Sequence, residues 1–376
     1  NTLTINTGLN SGSITSINNL VIKALTNNDT GVIVASKNAE FGTITNNGSI
    51  TSSGNTSILG TISGSGTLTL NDTIDMNGII NSEQEVIFNG VMTIDNGTMN
   101  FTSNDRWLGS VDLVSGTLNY SGLNENGLLT ATNGILNVLS GKLNIATGSS
   151  VANDVTTTIA EGATVGLSGG TLNLNVGDDW KGLVTASAGN LNVAGLTITP
   201  AQLVINDADN SKVKVNLDNV SLKLANDDPQ NFNLGVLNIN LMNETTLSLD
   251  MSLETGLSDT ITVASGSKGE FVINEIQGVG EMGTDTVTRH FKVLNRVDVD
   301  DYESIRLYLT DELIAKYTTN YTIDDALSSG SIKIWSGQFI GKTGIRLEDD
   351  NATITIGILE SYSTLHVLNI FDSPDN

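Results

Sequence analysis

The stretch Gly97-Thr98-Met99-Asn100-Phe101 returns as Gly116-Thr117-Leu118-Asn119-Tyr120 and as Gly134-Ile135-Leu136-Asn137-Val138. It returns again as Gly170-Thr171-Leu172-Asn173-Leu174 and Gly189-Asn190-Leu191-Asn192-Val193. The interval from Gly97 to Gly116 is nearly repeated from Gly116 to Gly134 and repeated in full from Gly170 to Gly189, and it has the length of one coil of a β-solenoid. Self-similarity at a short fixed period signals a repeat architecture. Within each phrase glycine breaks the preceding strand, and then apolar and polar residues alternate with the period of two that marks a half-buried strand. So short a phrase cannot bury its apolar side alone. Stacking copies places Leu over Leu inside and Asn over Asn outside.

The same rhythm occurs upstream in a Thr/Ser version. Gly42-Thr43-Ile44-Thr45 and Gly48-Ser49-Ile50-Thr51 are followed one such interval later by Gly60-Thr61-Ile62-Ser63 and Gly66-Thr67-Leu68-Thr69. Two strands per coil keep step. The fold expected is all-β: a right-handed single-stranded parallel β-helix (β-solenoid) with coils of about 18–20 residues and a less regular C-terminal part. The solenoid is expected over 1–285, an irregular cap or insertion with one short helix over 286–330, and further strands over 331–376. In the middle part Thr310 is placed to cap a helix beginning at Asp311.

Forty-one acidic against seventeen basic residues leave a net charge of −24, which excludes the clustered Lys and Arg that nucleic acid requires. With 15% of residues charged, the surface must be mostly Asn, Ser, Thr and Gly, a coat suited to a secreted or surface-exposed protein. Cysteine is absent, which removes disulfides, thiolate metal sites and cysteine nucleophiles. No apolar run reaches the length of a membrane helix, so no membrane insertion is expected.

The Gly-x-Leu-Asn phrases, the lack of cysteine and the scarcity of proline combine with a longer segment further on. It runs from Leu247-Ser248-Leu249-Asp250-Met251-Ser252-Leu253 through Ser258-Asp259-Thr260-Ile261-Thr262-Val263. Together they resemble the passenger domain of autotransporter-type bacterial surface proteins. The resemblance implies a right-handed parallel β-helix on or outside a bacterial envelope. It implies a structural or adhesive rod whose partner is a host or environmental glycan, matrix or protein receptor, or sister molecules by self-association. A polysaccharide lyase or tailspike-type enzyme on the same fold is the rival reading, and a self-assembling fibre or layer subunit a third. The translocating barrel of such proteins is not in this sequence, and no Gly-x-Ser-x-Gly with a partnered histidine occurs.

Site candidates lie where the repeat fails. Asp178 and Asp179 are a carboxylate pair for acid/base work on a glycan, with Trp180 beside them to stack on a sugar ring and Lys181 to contact it. Their neighbourhood also reads as a solvated turn, so no catalytic residue is assigned and the chain is expected not to be an enzyme. Asp207, Asp209 and Asp218 have the oxygen-ligand spacing of half a calcium loop, although Lys212 stands where its sharp-turn glycine belongs. Asp298, Asp300, Asp301 and Glu303 form a second acidic cluster. Calcium is the single cofactor these residues suggest. His290 and His366 read as structural residues on strands. The outward hydroxyls of Thr43, Thr45, Ser49, Thr51, Thr61, Ser63, Thr67 and Thr69 would line up on stacked coils, which suits side-chain bonding within the stack.

Overall fold

A computed structural model describes residues 1–81, 85–122, 127–208, 211–229, 234–252, 255–278, 288–297, 304–317, 319–321 and 338–364, with side chains described up to 317 and over 344–357. The chain is nearly all β, 60% strand and 2% helix, and its parallel stacked coils form a β-solenoid of about 10 turns. It divides into two compact units, one of residues 1–196 and 201–216, the other of 197–200 and 217–376.

In the first unit the repeated phrases lie over one another in the register their spacing predicts. Thr98 pairs with Thr117 and Asn100 with Asn119, and Asn119 then pairs with Asn137. Asn173 pairs with Asn192. In the Thr/Ser version Ser49 lies on Thr67 and Thr51 on Thr69, with these side chains outward. The advance per coil runs from the short step that sets Thr2 on Asn19, through the one that sets Lys142 on Thr164, to the one that brings Asn216 to Asn192 at the end of the unit. The inward residues Ile50, Leu68 and Val86, like Met99, Leu118 and Leu136, are fully or almost fully buried. Each such side chain contributes about 1.5–3 kcal/mol relative to exposure. Trp107 fills the middle of the core, stacked on Phe101 with ring centroids 5.1 Å apart and edge-on to Tyr120 at 6.1 Å.

Outside, the asparagines bond from coil to coil. Asn137 Nδ2 donates to Asn119 Oδ1 over 2.8 Å, and Asn119 Nδ2 to Asn100 Oδ1 over 2.7 Å. The glycine of each phrase is needed because coils touch there: a β-carbon on Gly116 would lie 2.4 Å from the carbonyl oxygen of Gly97. One asparagine ladder runs inside instead. Asn10, Asn27 and Asn46 are buried, and Asn10 Nδ2 donates to Asn27 Oδ1 (2.8 Å) as Asn27 Nδ2 does to Asn46 Oδ1 (2.7 Å). Asn27 and Asn46 follow the inward Leu25 and Ile44 by two residues, so period-two alternation carries them inward at the strand end.

In the second unit the coils lengthen. Thr197 pairs with Ser221, Ser221 with Thr246, and Gly269 with Ile305, the last two longer steps than any described in the first unit. Parallel pairing therefore runs past residue 285, into the stretch the sequence reading treats as irregular. Ile261 pairs with Leu294, and Ile305–Leu309 extends the sheet formed by Ser221–Lys223, Thr245–Asp250 and Gly269–Gln277. The helix Asp311–Tyr317 follows, its Leu313 N–H bonded to Thr310 Oγ1 over 3.2 Å and its Leu313 side chain buried. The remaining pairing is antiparallel: Gln338–Leu347 with Thr353–Thr364, flanked by Thr319–Tyr321 and Arg289–Lys292. Residues 322–337 lie outside the described residues.

Candidate functional site

The sequences Asp105-Arg106-Trp107-Leu108-Gly109 and Asp178-Asp179-Trp180-Lys181-Gly182 share a pattern, Asp-x-Trp-x-Gly. They also share a geometry. Asp105 Oδ1 accepts the N–H of Val86 on the preceding coil (2.7 Å) and its Oδ2 accepts the N–H of Thr102 (2.6 Å). Asp178 does the same with Thr157 on the preceding coil and with Asn175, both at 2.7 Å. Two residues on, the tryptophan turns inward and its indole N–H reaches the glycine carbonyl, over 3.1 Å in Trp107 and 3.0 Å in Trp180. Each unit of the pattern staples a corner to the coil beneath it and plugs the core behind. Burial pushes both aspartate carboxyls above the usual range, outweighing the backbone N–H bonds that pull them down.

This geometry corrects the expected role of Trp180. The ring is 7% exposed and packs in the core, so it offers no face to a sugar. Asp178 is half-buried with both oxygens bonded to backbone, while Asp179 and Lys181 point to solvent and pair with each other over 2.7 Å. The two carboxylates do not converge.

The expected calcium ligands fall in different units or outside the described residues. Asp207 is buried in the first unit, its Oδ2 accepting the N–H groups of Lys212 (2.6 Å) and Val213 (2.8 Å), which closes the loop between them. Asp218 belongs to the second unit and accepts the side-chain amide of Asn243. Asp209 lies outside the described residues, as do Asp298, Asp300, Asp301, Glu303 and His366. Among the described residues no three His, Asp or Glu side chains cluster as metal ligands would. His290 is largely exposed on the strand Arg289–Lys292, and its Nδ1 lies 3.1 Å from Thr355 Oγ1 and also meets Glu348 Oε1. It fastens that strand to Thr353–Thr364.

One outward column of the first unit combines regularity with charge. Glu40 lies over Ser57, and Ser57 over Asp75. Asp75 then pairs with Thr93, Thr93 with Asp112, Asp112 with Thr130, and Thr130 with Ser150. All seven are half-buried or exposed. Carboxylates occupy alternate coils up to Asp112, so with a rise of about 4.8 Å per coil they stand about 10 Å apart, with a hydroxyl between each pair. Spacing like charges by two coils keeps their repulsion low while leaving an acceptor and a donor in repeat. The signal was in the sequence as the near-even spacing of Ser57, Asp75, Thr93, Asp112 and Thr130. Glycine marks this strand too, in Gly90-Val91-Met92-Thr93, Gly109-Ser110-Val111-Asp112 and Gly127-Leu128-Leu129-Thr130, but its outward residue changes from coil to coil where the Asn phrase keeps one.

No protein-family model matches this sequence, and no curated protein matches it either.

Proposed function

We propose that the chain is a structural and adhesive element of a bacterial surface, of the kind its sequence resembles, and that it holds a glycan along the Glu40–Ser150 column. The observation that carries this reading is the column itself. A ligand with a repeating polar backbone meets equivalent side chains coil after coil, and the separation of its carboxylates is on the scale of a disaccharide. Many weak contacts in register give avidity without a deep pocket. The outward Asn ladders and the stapling aspartates are consistent with a scaffold, because their hydrogen bonds are made within the stack.

The test is a glycan array followed by titration of the best ligand against the chain and a Thr93→Arg/Thr130→Arg variant. Long side chains at these two positions cover the column without entering the core, so affinity should fall at least tenfold at unchanged thermal stability. An array without hits, or a variant that binds as well as the parent, defeats the reading. Release of new reducing ends or unsaturated products, lost in Asp179→Asn, would instead make the chain an enzyme.

A further inference from the structure

After Asp250 the chain leaves the wall of the second unit and it returns at Asp259, the two sides meeting at a neck. Met251 and Ser258 form an antiparallel bridge, Asp259 N donates to Asp250 O over 3.0 Å, and Ser252 N donates to Leu257 O over 2.8 Å. Two aspartates guard the neck, and both are fully buried. Asp259 Oδ2 accepts the N–H of Asp250 at 2.7 Å. Asp250 Oδ2 accepts two N–H groups of the preceding coil, from Asn226 at 2.6 Å and Asp228 at 3.1 Å.

The second oxygen of Asp250 is different. Oδ1 is buried and accepts no hydrogen bond, and no ion pair neutralises this carboxylate among the described residues. It faces Gly278, where a β-carbon would lie 3.6 Å from Asp250 Oδ1 and 3.8 Å from the carbonyl oxygen of Met251. Two oxygens thus converge on the side of residue 278 that bears no side chain. A carboxylate taken out of water without a counter-charge costs several kcal/mol. Buried polar atoms left unbonded in a native protein call for an ion, a proton or a role.

We propose that Asp250, with Asp259 beside it, binds a hard divalent cation of the calcium class at this neck. Only oxygen donors are at hand. Calcium takes six to eight of them and accepts carboxylates, backbone carbonyls and water together. Asp250 Oδ1 and Met251 O are the first two, Asp259 supplies the second negative charge, and water completes the shell. The exposed carboxylates of Asp227 and Asp228 on the adjoining turn raise the local cation concentration. The site is distinct from the Asp207–Asp218 stretch that the sequence suggests. Bound cation would fix the Met251–Ser258 bridge and the turn at 226–229 at once, because Asp250 adjoins the one and bonds the other.

The experiment uses the whole chain, stripped with EDTA and dialysed against calcium. One calcium per chain is expected, with a raised unfolding midpoint and at least tenfold slower amide exchange at Asn226, Asp228 and the Met251–Ser258 bridge. Asp250→Asn should lose the bound calcium and Asp218→Asn should keep it. Absence of bound calcium, or slowing of exchange elsewhere but not at these amides, overturns the proposal. That mapping uses the unaltered chain, so it decides even if Asp250→Asn fails to fold. A stability that does not respond to calcium would also overturn it.

Discussion

The first unit closes most of its coils in a short span such as that from Thr98 to Thr117, whereas the second needs the span from Ser221 to Thr246 and later that from Gly269 to Ile305. Short coils have no room for excursions, so each position in the phrase has one duty repeated down the stack: glycine for contact, Leu for core, Asn for the ladder. Long coils release residues for loops, and carboxylates such as Asp250 and Asp259 are then needed to pin the loop necks. Regularity makes the first unit stiff and chemically plain. Irregularity is where the second unit can become specific.

The largest difference should appear at glycine. In the first unit Gly116→Ala drives a β-carbon to 2.4 Å from Gly97 O and 2.5 Å from Ile94 Cγ2. Backbone of the coil beneath cannot move without breaking its own ladder, so about 3 kcal/mol or more should be lost. In the second unit Gly256 has nothing within 4 Å of its missing β-carbon and a φ of +76°. Gly256→Ala should cost only the left-handed conformation, about 1 kcal/mol. Urea unfolding of the two variants checks this, and equal losses would erase the distinction between contact-limited and loop-forming coils.

A smaller effect is expected from the ladder. Asn119→Ala removes one bond up and one bond down the stack, to Asn137 and Asn100. At about 0.5–1.5 kcal/mol net per bond, the loss should be about 1–3 kcal/mol, seen as a lower urea midpoint at unchanged m-value. An unaltered midpoint would mean that core stacking alone holds the coils.

Much of the first unit could be read in advance because its physics is local and periodic. The near-constant interval between phrases fixed which one lies on which, and alternation fixed Leu118 inward and Asn119 outward. Alternation also separates the interior Asn27 and Asn46, two residues after the inward Leu25 and Ile44, from the exterior Asn119, one residue after the inward Leu118. Asp178 and Trp180 looked like a site because a carboxylate beside an aromatic is the common form of one. The second copy at Asp105 and Trp107 was the clue that they build corners. In the second unit alternation misplaces Asp250: with Leu247 and Leu249 inward it should face water, yet the strand Thr245–Asp250 is buried on both sides at its end. A neighbouring turn covers it, and no short-range pattern encodes that cover.

The smallest expected effect separates the units by the sign of their response to acid. Burial holds Asp105 and Asp178 in the first unit above the usual aspartate range. Their native state binds a proton more readily than the unfolded chain does, so their contribution to stability is complete below the unfolded pKa and is lost as pH rises through the raised one. In the second unit Glu348 is held low by hydrogen bonds from Thr355 and His290. Asp350 is pushed up by burial, but the Thr353 hydroxyl, the N–H groups of Ala352 and Thr353 and the charge of Arg296 together bring it below its ordinary value. What these two contribute is present above the unfolded pKa and lost as pH falls through the lowered one. Acidifying from neutral should therefore first favour the corners at 105 and 178, and loosen the strands around 290 and 350 only once pH falls below the ordinary carboxylate range. Amide exchange at each pH, corrected for intrinsic rates, measures both ends in one sample. Asp105→Asn, which cannot ionise, should flatten the response near Val86 and Thr102 and leave that near Thr353 untouched. If both regions loosen together on acidification, the stapling aspartates act mainly as ionised acceptors, and their two backbone bonds outweigh their burial.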